Sequence, residues 1–429
     1  MTRVRIHGGR IIDPASGMDG VGDLFIAEGL IVAAGAAPPG FTVDRDIDAG
    51  GCWVLPGIVD LCARFREPGN RTLVSIASES AAAAAGGVTT VCCPPDTQPI
   101  IDSPAVVELL QQRAAACGTF RICIVGAMTQ GLAGELLAEM QSLGAAGCVG
   151  VGNGFRPVAN SEVLRRAMEY AASCDLTVFI RPEDHYLRNG GVLHEGPVST
   201  RLGLPPVPAS AETVAVSRAL LLAEQTGVRL HLERLSCARS VQMVVEARQR
   251  GLPVSADVGI CHLWLIDVDA ADYDPNCHLR PPLRSAADRA ALCRAVSDGS
   301  IDAVCSDHHP LDEDAKSAPF AQTEPGASTI ELLLPLMATL VADGSIPLAR
   351  AVAALATGPA AVLRRADCGG LAPGLGADVV IFDPAPATTV HTDSLRSAGR
   401  NCPFAGRKVN GQVRHTLFAG TLVYSSPPR

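Results

Sequence analysis

The sequence predicts an α/β protein, a (β/α)8 TIM barrel with a small β-sandwich built from both chain ends. Three observations predict it. Strand-like and helix-like stretches alternate through the middle of the chain, which implies a parallel sheet. There are eight such strands, which implies closure into a barrel. Both ends are instead rich in short strands around glycine turns. A length of 429 residues suits one large barrel and one small domain.

The N-terminal part, 1–55, opens with the alternating run 4–7, a Gly8-Gly9 turn and a second run at 10–14. Residues 23–35 are apolar on both sides of Gly29, a hairpin signal. The tail, 369–429, answers with a turn and buried strand at 370–384 and strand signals at 409–413 and 417–424. The simplest packing joins these two segments as one sandwich. The barrel is then 56–368, with linkers at Gly50-Gly51 and near Asp367. Its strands are expected to begin at 56 and to continue at 87–92, 120–125, 148–151, 176–180, 228–232, 253–258 and 301–305. Helices are expected at 75–85, 105–116, 161–173, 210–226, 238–251 and 286–297.

Composition narrows the function. Apolar residues are 48% and charged residues 18%, enough for a sizeable core. The formal charge is −9 with no Lys/Arg-rich run, which argues against nucleic acid or an anionic membrane as partner. The opening residues hold no apolar signal core and no segment reaches membrane-spanning length, so a cytoplasmic protein is expected. The fifteen cysteines are odd in number and contain no Cys-x-x-Cys pair, so buried thiols are expected in place of disulfides or structural zinc.

Functional side chains of such a barrel sit at the C-terminal ends of its strands. There the sequence places Cys62, Arg64 and Arg66; Pro94-Pro95-Asp96; Gly152-Asn153-Gly154-Phe155; Arg181-Pro182-Glu183; Arg234; His262 and Arg280; and Asp307-His308-His309. These stretches, above all Arg66-Glu67-Pro68-Gly69 and Asn401-Cys402-Pro403-Phe404-Ala405-Gly406, resemble dihydroorotase motifs, in dihydroorotase order, over nearly the whole chain. That family belongs to the amidohydrolase superfamily.

The resemblance implies a metal site built from His-x-His, a bridging acid, two further histidines and one aspartate. It maps the first pair to Cys62 and Arg64, the bridge to Asn153, the third and fourth histidines to Arg181 and Arg234, and the aspartate to Asp307. Only the aspartate is kept. Zinc needs lone-pair donors, usually three or four, and arginine has none to give. Zinc, expected in active relatives, is expected to be absent here. Without it no hydroxide forms near neutral pH, so no catalytic residue is expected beyond a vestigial Asp307. Arg66 keeps the carboxylate-binding arginine of the family; Asp96 and Arg280 replace two binding asparagines, and Leu311 replaces a histidine. Arg66, Asp96, Arg280 and His309 are thus the vestigial substrate-binding set.

Each residue also has a plainer reading. Arg64, Arg181 and Arg234 form either an anion pocket or internal counterions for Asp307, Glu183 and Asp96, since buried charges need partners. Cys62 is a reactive thiol or a buried inert one. His308, His309 and His262 are expected to be structural before they are catalytic. The resemblance implies an inactive dihydroorotase-like subunit of pyrimidine biosynthesis. Its implied partner is the catalytic chain of aspartate carbamoyltransferase, in a hetero-oligomer with homodimer contacts. An active dihydroorotase or other cyclic amidohydrolase with an atypical site, and an anion-sensing regulatory subunit, stay open as alternatives.

Overall fold

The computed structural model describes residues 2–69 and 74–427. The chain begins with β1 (Val4–Asp13), β2 (Met18–Ala27), β3 (Leu30–Ala34), β4 (Arg45–Asp48) and β5 (Trp53–Pro56). After the barrel it ends with β16 (Val379–Thr389), β17 (Lys408–Phe418) and β18 (Thr421–Ser425). All eight strands form one sheet, ordered β18-β17-β16-β5-β1-β2-β3, with β4 on β1. An antiparallel bridge from Leu30 to Gly376 brings the β3 edge back toward the start of β16. Ile6, Leu24, Ile31, Val379 and Leu417 share the resulting core, so both chain ends build it. The tail strands run longer than the spacing suggests. β17 continues through Gly411, whose positive φ lets the backbone pass against the Phe382 ring.

Eight parallel strands form the barrel: β6 (Ile58–Asp60), β7 (Val88–Cys93), β8 (Arg121–Ala127), β9 (Cys148–Gly152), β10 (Thr177–Ile180), β13 (Leu230–Leu232), β14 (Val254–Gly259) and β15 (Ala303–Cys305). A two-strand ladder, β11 (Leu193–His194) with β12 (Pro206–Val207), lies in the loop between β10 and β13. Every residue of β7 is buried, as expected for a parallel strand covered on both faces. The ring closes just beyond β6 and β15, where Ala63 bridges His308 and Arg64 N–H donates to the His308 carbonyl at 2.8 Å. The Asp60 carboxylate spans the same seam, accepting from Ser306 N–H at 3.0 Å and from the Ser306 hydroxyl.

The change from sandwich to barrel takes two residues. β5 pairs with β16, and Ile58 already pairs with Val88. Gly57 permits this: a Cβ there would lie 2.1 Å from Thr89 Oγ1. The expected helices form as Ile76–Ala85, Pro104–Cys117, Ser161–Ser173, Ser210–Thr226, Ala238–Gln249 and Ala286–Asp298. Met140–Ala145, Leu333–Ala342, Leu348–Leu355 and Thr357–Val362 are additional, as are the short helices His185–Arg188, Pro197–Leu202 and Ile260–Trp264. The first is too short to show a period. Leu333–Ala342 is apolar on nearly every side and buried, so it lacks the polar face that marks a helix in sequence.

Candidate functional site at the barrel mouth

Strand ends bring three of the mapped positions, Cys62, Arg64 and Arg234, together around Asp307. This residue follows β15 in the left-handed region, at φ 49. Its Oδ1 lies 3.5 Å from Arg64 Nη1, 3.5 Å from Arg234 Nε and 3.5 Å from Cys62 Sγ. Two cations and a thiol therefore share one carboxylate oxygen. Arg64 also grips Asp96, with Nε at 3.2 Å from each oxygen and Nη2 at 3.1 Å from Oδ2. Burial opposes the Asp96 charge, but the Arg64 guanidinium outweighs it and holds the carboxyl below the usual range. Arg234, wholly buried, takes Glu233 as a second partner at 3.1 Å. Burial pushes the Cys62 thiol well up, against the pull of Arg234 and Arg64.

Arg181 and Arg280 form a second knot around Glu183. Arg181 Nη1 lies 3.5 Å from Glu183 Oε2, while Arg280 binds both carboxylate oxygens. Arg188 approaches the same group at 3.8 Å. Burial, then its cationic neighbours, bring Arg181 down to about 9 despite Glu183, so it remains a cation near neutral pH. Glu183 is brought down to about 2: burial works against this, and Arg181 and Arg280 prevail.

Between the two knots sits Phe155, which the spacing of polar residues does not single out. The Cζ atoms of Arg64, Arg181 and Arg280 lie 4.0, 4.6 and 5.4 Å from its ring centroid, within cation–π range. Its carbonyl accepts from Arg280 at 3.0 Å. Gly154 lets this loop approach Asp96, since a Cβ there would be 3.0 Å from Asp96 Oδ2. The available signals were an aromatic residue beside a flexible glycine at a strand end, and the adjacent Glu233-Arg234 pair.

The other mapped residues lie outside the two ion-pair knots. The Asn153 amide is taken up by Thr129, the Leu132 carbonyl and the Arg156 carbonyl. Arg66 bonds His309 Nε2 at 3.3 Å and reaches Glu324 at 3.7 Å. His309 stacks on Phe155, its ring centroid 5.8 Å away. Burial, then Arg64 and Arg66, depress the His309 pKa strongly. His308 points the other way: Nδ1 accepts from Thr329 N–H, so Nε2 donates to Glu79 at 2.8 Å. Glu79 in turn binds Ser397 and Ala398, which ties the tail to the barrel. His262 is buried and bonds the Pro281 carbonyl. Leu311 is buried.

These residues do not fit a pair of zinc ions. Three of the six mapped positions are guanidiniums, which offer no lone pair and repel a dication. Asn153 is committed to other loops, and Asp307 is already shared between cations. Among the described residues no group of three or more His, Cys, Asp or Glu side chains could hold a metal ion.

Fold and mouth together define an amidohydrolase-type barrel. The structure is similar to L-hydantoinase (dihydropyrimidinase) from Arthrobacter aurescens, with a TM-score of 0.89 and 25% identity, over 99% of this chain and 96% of that one. Residues 51–240 match the family described as Dihydro-orotase-like, and residues 331–424 match the Amidohydrolase family. A dihydroorotase-like protein of Pseudomonas aeruginosa is 48% identical over 98% of this chain and 99% of its own length. A dihydroorotase of Anaeromyxobacter dehalogenans is 42% identical over 98% of this chain and 97% of its own. The chain belongs to the dihydroorotase family. Among the described residues no helix is long and apolar enough to cross a membrane.

Proposed function

We propose that this chain is a non-catalytic member of its family, a zinc-free subunit that supports assembly or activity of the catalytic chain of aspartate carbamoyltransferase in pyrimidine biosynthesis. The observation that supports the loss of hydrolysis is the state of Asp307: its Oδ1 is held by Arg64, Arg234 and Cys62, each at 3.5 Å. A carboxylate so neutralised, beside cations that repel metal, has no means of generating hydroxide. The partner is drawn from the family resemblance.

The test uses the full chain purified after growth with added zinc. Expected are substoichiometric zinc, no dihydroorotate turnover above background, and co-purification with the carbamoyltransferase chain when the two are expressed together. Stoichiometric zinc with dihydroorotate hydrolysis overturns the non-catalytic reading. Separate elution of two folded chains, with carbamoyltransferase activity unchanged by mixing, overturns the partnership.

A further inference from the structure

A cavity of about 470 Å³ opens at the end of the barrel opposite the mouth. Its wall includes Thr177, Leu230 and Val254, the first residues of β10, β13 and β14. Ser255 lines it too, partly exposed between buried Val254 and Ala256. The Ser255 hydroxyl lies 2.8 Å from His231 Nδ1, and His231 Nε2 lies 2.9 Å from Asp257 Oδ2. Strand register creates the alignment. His231 of β13 pairs with Ser255 of β14, and Asp257 lies two residues further on the same face.

The partners of Asp257 place one of the His231 protons. Asp257 also accepts the Arg234 backbone N–H at 2.6 Å. Burial disfavours its charge, but His231 and Arg234 together outweigh burial and hold the carboxyl below the usual range, so it stays ionised. An ionised carboxylate only accepts, so His231 carries its proton on Nε2. In the neutral imidazole Nδ1 then presents a lone pair to the Ser255 hydroxyl, 2.8 Å away. This is a nucleophile, a base and an orienting acid within hydrogen-bond reach, with the two ring nitrogens exchanged relative to the common serine-hydrolase order. Arg350 lines the same cavity; among the described residues no carboxylate pairs with it, and its buried Nε has no hydrogen-bond partner.

We propose that Ser255 is the nucleophile of a second site, at the N-terminal end of the barrel, which takes a small ester carrying an anionic group. Ser255 Oγ attacks the acyl carbon and its proton passes to His231 Nδ1. The bond to the alcohol oxygen breaks, and the leaving alkoxide takes that proton. Water then repeats the sequence, releasing the acid and restoring the Ser255 hydroxyl. Arg350 faces the negative end of the ester. The site shares no side chain with the mouth, so it stands or falls independently of the reading proposed above.

The full chain is treated with a fluorophosphonate probe, which forms an Oγ–P bond as fluoride leaves, and the adduct is mapped by peptide mass spectrometry. Expected is an adduct on Ser255, absent in Ser255→Ala, a variant that removes one hydroxyl from a cavity wall and folds as the parent does. Labelling of His231→Gln is expected to slow by about 100-fold, the low end for loss of a general base. Should that variant not fold, the adduct map of the parent decides alone. Monomethyl succinate is expected to protect Ser255, and methyl butyrate at equal concentration is not. No adduct on Ser255, equal labelling of a folded His231→Gln, or any other pattern of protection overturns the proposal.

Discussion

The guanidinium carbon of Arg64 lies 4.0 Å from the centre of the Phe155 ring, while its nitrogens bind Asp96. The cation is thus paired at its edge and covered on its face. Arg181 and Arg280 approach the same ring. One aromatic side chain separates three like charges that would otherwise meet across the mouth.

Removing that ring has a cost in two parts, lost packing and lost cation–π attraction. Phe155→Ala is expected to lower unfolding stability by about 2–3 kcal/mol, less than a fully buried phenylalanine because the side chain is only half-buried. Phe155→Leu keeps most of the volume and is expected to lose about 1 kcal/mol. Denaturant unfolding with an unchanged slope reads both. A leucine variant as stable as the parent removes the cation–π part of the account.

Asp307 is expected to matter for stability through its two cations. Asp307→Asn leaves Arg64 and Arg234 with one carboxylate fewer, and a loss of about 2 kcal/mol is expected, discounted because Asp307 is 20% exposed. A double-mutant cycle with Arg234→Met separates the pair term. A coupling of about 1 kcal/mol or more is expected, and additivity within about 0.3 kcal/mol contradicts the pairing.

Stability should also respond to pH through Asp60, at the seam of the barrel. Burial raises its carboxyl to about 6, against the hydrogen bonds from Ser306. The unfolded chain titrates near the ordinary value of about 3.9. Between these values the folded state holds the extra proton, so stability falls as pH rises through about 6. From pH 5 to 7 the Asp60 contribution is expected to shrink by about 1 kcal/mol. His309 acts with the opposite sign: it stays neutral when folded, while the unfolded imidazole takes up a proton below about 6.5. Its contribution is present above that pH and lost below it. Unfolding of Asp60→Asn and His309→Gln across pH 5–7.5, each subtracted from the parent, is expected to give slopes of opposite sign.

Cys62 is expected to be unreactive although arginines surround it. Burial raises its pKa well above the ordinary thiol value, more than Arg234 and Arg64 lower it. Eleven of the fifteen cysteines are buried, and Cys52, Cys117, Cys174 and Cys293 are half-buried. Iodoacetamide at pH 8 is expected to modify native protein at these four at most, and all fifteen after denaturation. Rapid alkylation of native Cys62 contradicts the inert reading.

Much of this is legible in the sequence. Alternation of period and the count of eight strands mark the barrel, because side-chain burial imposes those periods locally. That Arg64, Arg181 and Arg234 offer no lone pair to a metal is a matter of residue chemistry, visible wherever the chain places them. The partnership of Arg181 with Glu183 was also within reach, since the two share one strand end.

What only the tertiary structure decided are the relations across strands. Phe155 enters the mouth because the loop after β9 folds inward over Arg64 from another strand end. Asn153 turns to Thr129 and away from the centre. Ser255, His231 and Asp257 line up because β13 and β14 pair in one particular register. Local periodicity says which face a side chain takes, but not which residue of the neighbouring strand stands beside it. That is set by the packing of the whole ring, where a shift of one residue would send every inward side chain outward.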